Sequence, residues 1–256
     1  MARIVARNAA ILCGGRDLSA RSNSAALSIT SEAPEVTTFT ESTRTRLPGG
    51  LGDVELTVDG FWDSAASQVD ETFSTLIGAS DWWGFYPAGT TACNYGREWQ
   101  GILTEYGSNA AVADALTTSV TVAGSPPLLY TRVLAGGTLV GTGLGSSGVG
   151  SSAVGAGVDY GAATTCPVYG IMRVFSLTGT SPEIAGSLQQ STNDSTWTTL
   201  AVFYAAGAAA SSGSIVNVQT ATSSARYRRF RYVVGASGLN SASVVTAVTS
   251  GSVLFV

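Results

Sequence analysis

VTTFTESTRTRLPGGLGDVELTVDGFW, residues 36–62, decides the fold. Val36–Phe39 is β-branched and aromatic and reads as the end of a strand. Thr40–Gly52 is polar, carries Pro48-Gly49-Gly50, and reads as neither a buried strand nor a helix. Asp53–Phe61 then alternates strictly. Val54, Leu56 and Val58 fall on one face, and Asp53, Glu55, Thr57 and Asp59 fall on the other. A period of two over that length predicts a half-buried strand. Two strands therefore flank a loop of about a dozen residues, a length that in a compact domain goes with function or disorder.

Outward from this stretch the pattern stays β-rich. Ala9–Cys13 reads as a short apolar strand ended by Gly14-Gly15, and Ser24–Thr30 alternates. On the other side, Asp63 is a good N-cap. Ala66, Val69, Phe73, Leu76 and Ile77 follow at helical spacing, and Gly78 is placed to stop the helix. Trp82-Trp83-Gly84-Phe85-Tyr86 is an aromatic cluster that suits core, subunit interface or a sugar platform. Glu98–Tyr106, Leu116–Val122 and Leu128–Leu134, the last after Pro126-Pro127, read as further strands.

Composition narrows the chemistry. The chain has 256 residues, of which 12% are charged and 31 are Gly. A typical soluble domain carries about 25% charge. With a mean hydropathy of +0.25, such a surface is expected to be covered by other subunits. There is no His and no Lys, and all 13 basic residues are Arg. That removes Ser-His-Asp and Cys-His catalysis, lysine Schiff bases, phosphate-binding P-loops and most zinc sites. Cys13, Cys93 and Cys166 are odd in number and far apart, which predicts buried free thiols in a reducing compartment. The amino-terminal apolar run is too short for a signal peptide, and no run reaches the ~18 apolar residues of a membrane span. Residues 1–135 carry 8 Arg against 14 acids, and residues 136–256 carry 5 Arg against 3. An acidic first half does not suit a nucleic-acid binder.

Gly136–Thr165 is a break in composition, with ten Gly and one charge, Asp159, and reads as a flexible linker. Its Gly141-Thr142-Gly143 lacks the strand-to-helix context of a phosphate loop. Beyond it, Tyr169–Leu177, Ile184–Gln190, Thr196–Tyr204, Ile215–Thr220, Arg226–Val234 and Val244–Val248 read as strands separated by turn signals. Short strands without a helix predict a sandwich.

The opening stretch, together with Asp17-Leu18-Ser19 and Asn23–Ile29, resembles the tail tube (major tail) proteins of long-tailed phages. The shared order is Val36-Thr37-Thr38-Phe39, then Thr43–Arg46, then Pro48–Asp53, then Gly60-Phe61 and a helix. It covers about the first 135 residues. Ser181–Ile184, Leu188–Trp197 and Arg228–Tyr232 resemble a small domain often appended to phage tail and virion proteins. The resemblance implies hexameric rings stacked into a tube, with the long loop as an assembly element.

Three side-chain groups are candidate sites. Asp53, Glu55 and Asp59 share a strand face, which suits a solvated surface or, less simply, paired carboxylates for glycoside hydrolysis. The resemblance adds a third reading, that this face lines the tube bore. Arg229 and Arg231 project together, opposite Phe230 and Tyr232, as a solvated face or a contact surface for an acidic neighbour or a glycan. Asp194 beside Asn193 has no partner cluster for calcium.

The expected fold is mainly β: a tail-tube-like β-sandwich or barrel with one α-helix at 1–137, a Gly/Ser-rich linker at 138–157, and a C-terminal all-β sandwich domain at 158–256. The resemblance implies a structural virion protein, not an enzyme, with no cofactor. Its expected partners are copies of itself, a tape measure and a tail terminator. DNA would pass through without specific binding, and no membrane is involved. Assembly would take place in the host cytoplasm. The interface loop would present Glu41, Arg44, Arg46, Leu47, Pro48 and Leu51. The alternative is a carbohydrate- or host-surface-binding fibre or adhesin module that uses the aromatic cluster and the Arg strand.

Overall fold

The computed structural model describes residues 8–33, 35–37, 43–44, 46, 52–63, 69–91, 93–110, 115–134, 138–139, 152–154, 157–161, 166–179, 183–206, 215–223, 225–235, 239–243 and 252–255. Among these the chain is mainly β, with eighteen strands, one helix and antiparallel strand pairing throughout the named sheets. By compactness it divides into two units. Unit one comprises Met1–Ala20, Trp82–Glu98 and Leu129–Leu254; unit two comprises Arg21–Asp81, Trp99–Leu128 and Phe255–Val256. The units interleave the chain, so the first strands belong with the C-terminal region.

In chain order, the first strands are β1 (Ala10–Cys13), β2 (Arg16–Asp17), β3 (Ser22–Ser31) and β4 (Gly52–Phe61). Helix α1 (Val69–Leu76) follows, then β5 (Ser80–Tyr86), β6 (Tyr95–Asn109) and β7 (Thr117–Arg132). Strands β6 and β7 run from one unit into the other.

Unit two is built on the order β6-β7-β4-β3. The alternation read in Asp53–Phe61 is real: Val54, Leu56 and Val58 are buried while Asp53 and Glu55 are exposed. In register beside them, Val122 faces Leu56 and Val120 faces Val58, so both strands turn an apolar row to the same side. α1 adds Val69, Thr72 and Phe73 to this core, with Phe73 against Tyr106 at 5.8 Å between ring centroids. The helix ends as expected at Gly78, which has φ +76° and donates its N–H to the Leu103 carbonyl. One expectation fails here. Ile77 is 54% exposed instead of completing the apolar face, because it lies beyond the last helical turn and bridges Leu103 through its backbone. Ala66 and the other residues of 64–68 lie outside the described residues.

Val36 and Thr37 do not lie in a strand, and Thr38 and Phe39 lie outside the described residues. β3 stops at Ser31 and pairs directly with β4, from Ser22↔Gly60 to Ser31↔Gly52, so the connection spans 32–51. Val36 is 41% exposed, and among the described residues only the bridge Glu35↔Arg46 continues the pairing. β-branched composition suits a strand only where a partner or a core receives it. Similarly, Leu116–Val122 and Leu128–Leu134 are not two strands. β7 runs through Pro126-Pro127, which lie beyond Ala123, where its pairing with β4 ends. Past that point the prolines remove no bond from that ladder.

In unit one, β2, β1, β5 and the start of β6 pair in that order. Every residue of β1 is buried. The C-terminal strands are β8 (Thr138–Leu139), β9 (Ser152–Val154), β10 (Val158–Asp159), β11 (Cys166–Val174), β12 (Ser176–Gly179), β13 (Glu183–Ser191), β14 (Thr198–Ala206), β15 (Ile215–Ser223), β16 (Tyr227–Gly235), β17 (Leu239–Ser243) and β18 (Ser252–Phe255). One sheet has the order β10-β16-β13-β14 with β9 on β16; β11 pairs with β15, and β12-β17-β8 form a small third sheet. β11 faces the first of these sheets closely: a Cβ at Gly170 would meet the Phe203 ring at 2.6 Å. Phe203 and Phe230 meet edge-on at 6.2 Å, which fixes the centre of this sandwich. The expected strand at Val244–Val248 lies outside the described residues. So does most of the expected linker, but its described pieces β8 and β9 pair with β17 and β16.

Candidate functional site

At the heart of unit one is a fully buried guanidinium. Arg173 on β11 donates from Nη2 to Glu98 Oε2 at 2.6 Å and from Nη1 to Oε1, a bidentate pair with both side chains at 0% exposure. Its Nε donates to the Gly14 carbonyl at 2.8 Å and Nη2 also donates to the Trp82 carbonyl at 3.2 Å. The Tyr86 hydroxyl donates to Glu98 Oε1. Burial pushes the Tyr86 phenol well above its usual range, and the Glu98 charge adds to the effect. Burial alone would pull the Arg173 guanidinium down, but Glu98 outweighs it and the net is upward. The Cys13 thiol is near enough to act on Arg173, but it too is buried, and the group has no open face. It ties β11 to β1, β5 and β6 and is structural.

The surface of unit one carries a run of stacked rings and guanidiniums. The Arg97 guanidinium lies 4.2 Å over the Tyr130 ring, and Tyr130 stacks on Tyr95 at 5.3 Å. Arg132 lies 5.0 Å over Tyr95 and 5.6 Å from Tyr160, which Arg228 approaches at 4.6 Å. Tyr95 is 47% and Tyr130 37% exposed. Asp159 is the carboxylate beside this run, and Arg226 grips it at 2.7 and 2.5 Å. That hydrogen bonding lowers the Asp159 carboxyl to about 2. The signal for this surface was in the sequence: Tyr95-Gly96-Arg97 and Tyr130-Thr131-Arg132 repeat Tyr-x-Arg, which puts ring and cation on one face of a strand. A search for catalytic residues passes over it because neither residue type is a nucleophile.

Of the expected site residues, Asp53 and Glu55 are exposed and Asp59 is half-buried on one face of β4. Beside them lie Ser24, Ala26, Ser28 and Thr30 of β3, in register. In the loop, Arg44 reaches Glu35 at 3.7 Å, an exposed pair, and Arg46 makes the bridge to Glu35. Glu41, Leu47, Pro48 and Leu51 lie outside the described residues. Arg229 and Arg231 do not form a plain solvated pair. Arg231 is exposed, but Arg229 stacks 4.1 Å over Trp197 and donates to Gln189 at 2.9 Å. Burial, then Arg231, pulls its guanidinium down. The aromatic cluster is β5: Trp83 and Tyr86 are buried and Trp82 and Phe85 half-buried, so it is core and not a sugar platform. Cys13 is buried as expected, but Cys93 is exposed, because it sits in a turn at φ 73° ahead of β6.

A hollow of about 380 Å³ in unit two is lined by Asn23, Asp59 and Asn109 with Gly, Ser and Thr. One carboxylate among amides and hydroxyls is a poor acid–base site. Among the described residues no three His, Cys, Asp or Glu side chains gather to hold a metal, and no helix is long and apolar enough to cross a membrane.

No family model matches the chain, and no curated protein matches it. Solved structures do share part of its course. A chain of the virion of a native gene transfer agent particle is 14% identical with a TM-score of 0.44, over 51% of this chain and 100% of that one. A chain from the tail of an empty gene transfer agent particle, computed with C6 symmetry, is 14% identical with a TM-score of 0.38, over 44% and 83%. The Dit protein of phage SPP1, described as a hub of the adsorption apparatus, is 12% identical with a TM-score of 0.35, over 90% and 98%.

Proposed function

We propose that the chain is a structural subunit of a long-tailed phage tail, which assembles with itself into stacked, hexameric rings that form the tube for DNA ejection. The observation that carries this reading is the edge of unit two. β3 ends the strand order, is ten residues long, and holds no charge and no Pro in SNSAALSITS. Only Ser22, Ala25 and Leu27 are even half-buried. An edge of that length normally carries Lys, Pro or a cover, because its open N–H and C=O groups template pairing with another chain. Left bare, it suits a joint between subunits. Apart from Asp17-Leu18-Ser19, the ordered sequence motifs of the first 135 residues lie on this same unit, and the low charge of the whole chain agrees with a surface meant to be covered.

In this reading the loop 40–52 reaches a neighbouring subunit through Arg44 and Arg46, and the Asp53, Glu55 and Asp59 face borders the bore. There its negative charge would keep passing phosphates from sticking. Tape measure and terminator proteins would be the other partners, and the virion tail the final location. Electron microscopy of purified protein in plain buffer tests the reading. Rings or tubes without any added cofactor are the expected result. A dispersed monomer that stays so with tail initiators present would refute it.

A further inference from the structure

The two units differ sharply in charge. Unit one holds 10 Arg and 5 acids, a net of +5; unit two holds 3 Arg and 12 acids, a net of −9. Two of these Arg, Arg97 and Arg132, lie with Tyr95 and Tyr130 on one face of unit one. Among the described residues Arg97 makes a hydrogen bond only to the adjacent Gly96 carbonyl, and Arg132 bonds to the Cys93 and Asp159 carbonyls. Neither forms a salt bridge among the described residues, although the Asp159 carboxylate, held by Arg226, is near enough to feel the Arg132 charge. Stacking on rings fixes each guanidinium plane and leaves N–H groups at its edge, which reduces the entropy lost when a carboxylate docks. Exposed Tyr and Arg packed together are also the residue types that dominate interface energetics.

We propose that this Tyr–Arg face docks on the acidic unit two of a second copy of the chain, at the exposed carboxylate Glu105 of β6. Glu105 is the neighbour on β6 of Tyr106, whose ring meets Phe73 of α1 and whose hydroxyl donates to Asp70 at 2.5 Å, so strand alternation turns Glu105 to the face away from the helix. Basic face against basic face would repel, so the contact is head-to-tail. A head-to-tail contact leaves each copy with one face still open and therefore propagates. This rests on the self-assembly reading and adds to it a second joint, distinct from the β3 edge.

Cys93 gives a direct probe, since it is exposed and its carbonyl accepts from Arg132 at the edge of this face. Full-length wild type is mixed with a Cys93→Ser/Glu105→Cys chain and treated with a short bis-maleimide, and the linked peptides are read by mass spectrometry. A link between Cys93 of one chain and the thiol introduced by Glu105→Cys is expected. Arg97→Glu/Arg132→Glu in the wild-type partner should lower its yield at least about tenfold, equivalent to ~1.4 kcal/mol. Raising salt from 0.1 to 1 M shortens the screening length from ~10 to ~3 Å and should lower it similarly. If the double variant melts early, Arg97→Glu alone serves, since its described contacts are the Tyr130 ring and its neighbour's carbonyl. Absence of the link in preparations that microscopy shows as rings overturns the second joint and leaves the tube reading standing. A Cys93-to-Cys93 link alone would also overturn it, by making the contact symmetric. Absence of both link and rings overturns both.

Discussion

Arg173 is an unusual residue to find at 0% exposure, and its tolerance there depends chiefly on Glu98. Desolvating a guanidinium and a carboxylate costs several kcal/mol each, and the bidentate pair with its two backbone acceptors offsets this. Removing one partner leaves the other charge buried and unmatched. Arg173→Met is therefore expected to destabilise the chain by about 3–5 kcal/mol. Adding Glu98→Leu to it should recover much of the loss, even though the Tyr86 hydroxyl then lacks its acceptor. Denaturant melts of the single and double variants check this; equal losses in both would show that the pair itself, and not the orphaned charge, carries the stability. None of this was legible in the sequence. The partners are 75 residues apart, and a lone Arg and a lone Glu on different strands carry no local signal. The Tyr-x-Arg repeats were legible, because period-two spacing fixes which side chains share a face.

At the level of single elements, alternation was a good guide. β4 is placed where its pattern puts it, and its exposed carboxylates and buried valines face as read. Gly78 ends α1 because its positive φ suits a residue without Cβ. Readings failed where composition was taken for pairing. Val36 has strand chemistry but no strand partner among the described residues, and Pro126-Pro127 has loop chemistry but sits in a strand beyond the end of its pairing with β4. The connection from β3 to β4 is longer than the polar run suggested, spanning 32–51. Extending a loop costs only ~0.6 kcal/mol for each doubling of its length, so shortening it is equally mild for the fold. Replacing Glu41–Leu51 with an Asn-Gly turn is expected to keep strand content and cooperative melting while abolishing stacking. Circular dichroism and microscopy separate the outcomes. Normal tubes would make the loop dispensable, and outright unfolding would make it part of the unit's own core.

At the scale of the whole molecule, fold class was legible from short alternating segments and a single helical one, but the interleaving of the units was not. Sequence places a cut near residue 137, and that cut remains a proposal. Arg173 bears on it, because it lies on the far side of the cut from Glu98, Gly14 and Trp82. Ending the chain at 137 is expected to leave Glu98 buried without its cation and to cost cooperative melting. Glu98→Gln in the same truncation should restore part of it. A truncated chain that melts cooperatively without that change would establish 1–137 as a domain in its own right.

Self-assembly through the bare β3 edge is the most exposed claim. Ala26→Lys/Ser28→Lys places charge on the strand, at two positions that are already exposed, and leaves Leu27 and the buried row of β4 untouched. Sedimentation velocity of this variant beside the wild type is the direct measurement. The wild type should run as rings or larger and the variant as a monomer with an unchanged melting temperature. A variant that assembles like the wild type would contradict the β3 joint.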